Sequence, residues 1–237
     1  MNRVFYPLAL ALVWFLLAPT ATAQPASPLD EDIQRALRTE IAEMLHRDQQ
    51  VRYMQTVGTF SPALADSIGE VLSALPMEEY LAMTDSLERE AEQRLTQAEQ
   101  DSLIAIMRTA DRAHIVRLRE IVETHGWPDS TRIGGSSNPF IFLLHTSPDT
   151  LESMLDLLRT EVDAGRMAPR QFAMAVDKSR KIRGERQLYG SGMEFDPETR
   201  SMVPPVVDSI DATNRAREAI GLPPLTEYRL PESATMR

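Results

Sequence analysis

The sequence predicts a mainly α protein, a single helical domain with a small C-terminal β-hairpin. Three observations point there. Apolar residues recur at three- and four-residue intervals over most of residues 30–220. Helix-opening and helix-closing signals interrupt that period at intervals. Only the stretch at about 192–204 exchanges it for short strand-like segments.

The first helix starts at Asp30, after a short linker at 24–29, and Ile33, Leu37, Ile41, Met44, Leu45 and Val51 carry it to about residue 55. Ser61-Pro62 reads as an N-cap followed by proline at the first helical position, and Pro76 opens another helix in the same way. Thr96 and Glu99 have capping-box spacing. The helix that they start runs to His125 and stops at Gly126, before Trp127-Pro128. Residues 129–138 read as a loop of small residues, and the apolar run FIFLLH follows Asn138-Pro139. Ser147-Pro148 opens one helix that closes at Gly165, and Pro169 opens the next, which fades into basic residues near Gly184. Met193-Glu194-Phe195, a turn at Asp196-Pro197 and Ser201-Met202-Val203 make the hairpin. A last helix from about Ser209 ends at Gly221. The domain spans 30–230, with a tail at 231–237.

The chain of 237 residues is 43% apolar and 25% charged with a formal net charge of -10, ordinary globular composition that excludes a disordered tail and a multi-pass membrane protein. An acidic chain is poorly suited to nucleic acid or an anionic membrane. The absence of cysteine excludes disulfides and thiolate chemistry. Residues 1–23 have the form of a secretory signal peptide: Arg3, an apolar run over 9–18, and the small-x-small pattern Ala21-Thr22-Ala23 before Gln24. That run is shorter than the ~20 residues that a spanning helix needs, so no stable membrane anchor is expected after its removal. The expected location is periplasmic or extracellular.

Polar residues fall on apolar faces. At about 100° per residue, Asp48 and Arg52 project onto the stripe of Leu37, Ile41, Met44 and Leu45, four apart and able to pair. Charge in such a stripe is costly unless paired, which predicts a buried or cleft-lining ion pair. On the 97–125 helix, Asp111, His114 and His125 project onto the face of Ile104, Met107, Leu118 and Val122. His145 ends the apolar FIFLL run, with Asp48 or Asp111 as its compensating carboxylate. Lys178, Arg180, Lys181, Arg183 and Arg186 are read as cations complementing a helix C-terminus ahead of an anion site.

The pattern Asp48-Gln49-x-x-Arg52, Asp111, Gly126-Trp127-Pro128, His145, Asp177, Gln187-x-Tyr189-Gly190, Arg217 and Gly221-Leu222-Pro223-Pro224-Leu225, with Tyr228, resembles a bacterial family known only as a domain of unknown function. The resemblance runs from about 40 to 228, departs at His114, Lys178 and Ser191-Gly192, and implies a fold and a list of positions. Gln187 and Tyr189 sit where a helix gives way to the hairpin, either as donors over a pocket or as side chains that satisfy their own turn. Asp177 projects away from the stripe of Phe172, Val176, Ser179 and Ile182, so the helical wheel makes it solvent-facing while the resemblance includes it.

These residues predict an internal polar pocket for a small polar or anionic ligand, with Asp48, Arg52, Gln187, Tyr189 and Asp177 as binding residues. The alternative is an acid–base hydrolase using His145 as general base or acid, oriented by Asp48 or Asp111, although no G-x-S-x-G, H-E-x-x-H or phosphate loop is present. A non-catalytic interaction module of the cell envelope is the third expectation. A metal pair at Asp111 and His114 is the least favoured, and no cofactor is expected.

Overall fold

The computed structural model describes residues 29–135, 138–196 and 201–231. The export segment, nearly all of the linker, Pro197 of the hairpin turn and residues 232–237 lie outside the described residues. The protein is mainly α. Its helices are α1 (Glu31–Val57), α2 (Pro62–Ser73), α3 (Met77–Arg94), α4 (Gln97–His125), α5 (Ser130–Ile133), α6 (Phe140–His145), α7 (Pro148–Glu152), α8 (Leu155–Asp163), α9 (Pro169–Ile182) and α10 (Ile210–Glu218). Strands β1 (Glu194–Asp196) and β2 (Ser201–Val203) pair antiparallel, with Phe195 opposite Met202. No described helix is long and apolar enough to cross a membrane.

The helix signals act as their chemistry requires. The Ser61 side chain accepts from the Leu64 N–H, with Pro62 at the first helical position. Glu99 Oε2 takes the Thr96 N–H at 2.9 Å while Thr96 Oγ1 takes the Glu99 N–H at 3.3 Å, a reciprocal capping box. Ser209 caps α10 through the Ala212 N–H.

Two local expectations are corrected. Residues 130–133 form a helical turn within the expected loop, because the Asp129 carboxylate accepts from the Thr131 and Arg132 N–H groups at 2.9 and 3.0 Å and Ile133 is buried. The single helix expected after Pro148 is two helices. Ser153 Oγ bonds back to the Thr150 carbonyl at 2.7 Å, Arg119 Nη2 takes the Ser153 carbonyl at 3.3 Å, and Met154 is fully buried at the break.

The chain forms two compact units. Among the described residues, one takes Arg47–Arg108 and the other residues 29–46 with those after 108. In the first, the core is Val51, Met54, Val57, Ala65, Leu72, Ala91 and Leu103. Arg94 Nη2 donates to the Val57 and Gly58 carbonyls at 2.7 and 3.1 Å, satisfying acceptors that α1 leaves open at its C-terminus.

In the second unit α9 packs on α6, α7 and α8. The core around it includes Ile41, Leu118, Ile121, Trp127, Phe140, Phe142, Leu158 and Phe172. A buried ionic knot joins the turn after α4 to α8. Glu161, 3% exposed, accepts the Trp127 N–H at 2.7 Å and both Arg166 Nε and Nη2 at 2.6 Å. Arg132 Nη1 donates to the His125 and Trp127 carbonyls at 2.8 and 3.1 Å. Gly126 turns left-handed there at φ 74°, and a Cβ on it would lie 2.7 Å from Arg166 Nε, so both backbone and space require glycine.

Burial pushes the Glu161 carboxyl up, but the hydrogen bonds from Arg166 and Trp127 and the nearby guanidinium charges outweigh it and hold the group below its ordinary value. Its contribution to stability is therefore complete above the ordinary glutamate value of 4.5 and is lost as pH falls through the lower folded value. In urea titrations Glu161→Gln is expected to cost about 2 kcal/mol at pH 6, with the gap to the parent closing toward pH 3. A gap that is constant with pH overturns this assignment.

Candidate functional site

Asp48 and Arg52 form the ion pair that their spacing predicts. Asp48 is 0% and Arg52 8% exposed, with Arg52 Nη2 3.0 Å from Asp48 Oδ1 and Nε 3.3 Å from Oδ2. Gln49 Nε2 adds a donor to Oδ2 at 2.8 Å. A carboxylate wholly out of water keeps its charge only with such compensation. This pair belongs to the unit of Arg47–Arg108.

Asp111 and His145 belong to the other unit, on α4 and α6, and both are half-buried. A carboxylate oxygen of Asp111 and a ring nitrogen of His145 lie within 4.8 Å of each other. One turn further along α4, His114 is buried with its ring centroid 5.1 Å from that of Phe142, tilted by 46°. Residues 111 and 114 thus meet 145 and 142 in reverse order, so α4 and α6 run antiparallel where they touch. The Asp-x-x-His spacing puts both side chains on one face, but Asp111 faces an imidazole and His114 an aromatic ring. His125 is partly buried in the last turn of α4, where its carbonyl is taken by Arg132.

Asp177 is the clear correction to the helical wheel. It is buried at 3% exposure, not solvent-facing. A wheel drawn from apolar residues finds the face covered by apolar neighbours and misses one covered by backbone amides. Asp177 Oδ1 accepts the Leu188 and Tyr189 N–H groups at 2.7 and 2.9 Å, and Oδ2 accepts the Ser191 N–H at 2.8 Å. Burial raises its carboxyl above the ordinary aspartate value, against the lowering by those donors.

The Gln187-x-Tyr189-Gly190 turn closes around this carboxylate. Gln187 Nε2 donates to the Gly192 carbonyl at 2.8 Å, and Gln187 Oε1 accepts the Gly192 N–H at 3.0 Å, so the amide is used at both ends within its own turn. Tyr189 is buried edge-on against Phe172, with ring centroids 6.1 Å apart, and burial holds its phenol above the ordinary range. Arg217 Nη1 donates to the Tyr189 carbonyl at 2.8 Å and Nε to the Pro223 carbonyl at 2.6 Å. Gly190 has φ 59°, and a Cβ there would lie 2.5 Å from Leu225 Cδ2. The Gln-x-Tyr-Gly and Gly-Leu-Pro-Pro-Leu segments are therefore parts of one packed turn.

The arginines of the basic run at the end of α9 and just beyond it pair with carboxylates. Arg180 pairs with Glu185, Arg183 with Asp149 and Glu152, and Arg186 with Asp208. Glu161, Arg132 and Arg166 are buried or partly buried charges that the sequence reading missed. The signal for Glu161 was present: it stands three residues after Leu158 and beside Val162, both buried on α8.

Asp177→Ala strands three N–H donors, that of Tyr189 fully buried, and is expected to cost about 2–4 kcal/mol in chemical unfolding, with Asp177→Asn costing less because one acceptor remains. Gly190→Ala is expected to cost about 1–3 kcal/mol for its backbone conformation alone. A change under about 0.5 kcal/mol in either alanine variant contradicts this account.

The profile of a family of unknown function matches residues 76–236, beginning after the Asp48–Arg52 pair and not at about residue 40. No curated protein and no solved structure matches the chain. With its Asp177 cradle and C-terminal packing inside the matched stretch, the chain belongs to the DUF6624 family, whose function is unknown.

Proposed function

We propose that this is an exported ligand-binding protein that holds a small polar or anionic molecule at Asp111 and His145. The observation that carries the reading is the approach of the two side chains to within 4.8 Å on separate helices. Both remain half-buried, so they are shielded yet reachable. The helices behind them are anchored in the core: Phe142 and Leu143 on α6 and Ile115 on α4 are buried. Gln187 and Asp177 are engaged within their own turn. Export rests on the pattern of residues 1–23.

The same pair supports a second reading, acid–base hydrolysis with His145 exchanging the proton and Asp111 orienting the ring. Hydrolysis adds a bell-shaped or sigmoidal pH–rate profile that simple binding lacks.

Thermal-shift measurements with inorganic phosphate, acetate and citrate test the site on protein purified without chelator. His145→Ala and Asp111→Asn are expected to abolish the ligand-induced shift while keeping the ligand-free melting temperature within a few degrees. Loss of folding in both variants, or an undiminished shift, refutes the site. Intact-mass analysis of the exported protein is expected to give a chain beginning at Gln24, and a retained Met1 on exported protein refutes the cleavage.

A further inference from the structure

We propose that Asp111 and His145 bind a divalent first-row transition ion and that the polar or anionic ligand is held through it. This rests on the reading of those two residues as the ligand site. Two donors on one such ion, each at about 2.0–2.2 Å, stand no more than ~4.2 Å apart. The Asp111 oxygen and His145 nitrogen are within 4.8 Å, so a movement of a fraction of an ångström closes them onto a common ion. Both ride on helices anchored in the core, which limits the freedom lost on coordination.

The donor set selects the ion. A carboxylate oxygen with an imidazole nitrogen suits zinc, manganese, iron or nickel, whereas calcium and magnesium favour oxygen throughout. Charge points the same way. A free anion approaching Asp111 meets a carboxylate in a chain of net charge -10 and is repelled. A bound dication reverses the local sign, because one carboxylate neutralises half of its charge and the remainder attracts the anion. Asp111 and His145 supply one oxygen and one nitrogen donor. His114 is one turn away but faces Phe142.

The experiment uses the full-length, tag-free protein, stripped with chelator and dialysed, then titrated with Zn²⁺ and Co²⁺. One equivalent of Zn²⁺ is expected to bind at micromolar affinity or better, and Co²⁺ to give visible d–d absorption. Asp111→Asn and His145→Gln are each expected to weaken Zn²⁺ binding by at least about tenfold, while His125→Gln leaves it unchanged. No Zn²⁺ uptake up to about 1 mM, or uptake unaltered in both site variants, overturns the proposal. Should a variant fail to fold, Mn²⁺ added to the unsubstituted protein is expected to broaden the His145 ring resonances selectively, and uniform broadening of all four histidines overturns it. Chelated protein that still binds phosphate or citrate through His145 refutes the metal and leaves the ligand site standing. Zinc held at Asp111 and His145 with no anion recruited supports the metal and refutes the ligand reading.

Discussion

A carboxylate taken out of water must be solvated by something else, and the C-terminal part of this protein is organised around doing that for Asp177. Among the described residues its bonded partners are amides and not guanidinium groups. Three backbone N–H groups from one turn replace its water, and holding them on the two oxygens sets the path of residues 188–191. Everything nearby serves that geometry. Gln187 ties the turn to itself, Arg217 takes its outward carbonyl, and the left-handed Gly190 lets Leu225 lie directly on the backbone. Burial still leaves the carboxyl above its ordinary value, so the amides offset the loss of water without reversing it.

Glu161 shows the other solution to the same problem. It is as deeply buried as Asp177, yet its partners include a two-pronged guanidinium, and the net effect is a carboxyl held below its ordinary value. At Glu161 the charged partners outweigh desolvation, and at Asp177 the amides do not. Asp48 is likewise paired with an arginine, Arg52, and Asp111 is only half-buried. Arg52 is already committed to a carboxylate, whereas Asp111 faces an imidazole and so combines the two donor types used in metal and proton chemistry.

Much of this was legible in the sequence, and the failures have physical causes. Ser61-Pro62, Thr96 with Glu99, and Gly126 mark helix ends because each satisfies or ends a local hydrogen-bond pattern, which neighbouring residues alone can specify. The Asp48–Arg52 pair was legible because helical spacing is also local. The short α5 helix escaped because one residue, Asp129, nucleates it within a run of small residues. The break at Ser153 escaped because Arg119, on a distant part of the chain, takes its carbonyl. Asp177 was misplaced because its environment is built from the amides of residues 188, 189 and 191, which a helical wheel does not contain. The approach of Asp111 to His145 depends on the crossing of α4 and α6, a tertiary fact that the sequence could only offer as one of two pairings.

The packing of Gly190 beneath Leu225, with Arg217 bridging Tyr189 and Pro223, has a bearing on how the protein is made. Asp177 emerges from the ribosome well before the residues that brace its turn, the farthest of which is Leu225. During synthesis the nascent chain therefore carries an acidic group whose dry environment is incomplete until Leu225 has followed. Until that segment arrives, the turn at 188–191 lacks the contacts that brace it around the carboxylate.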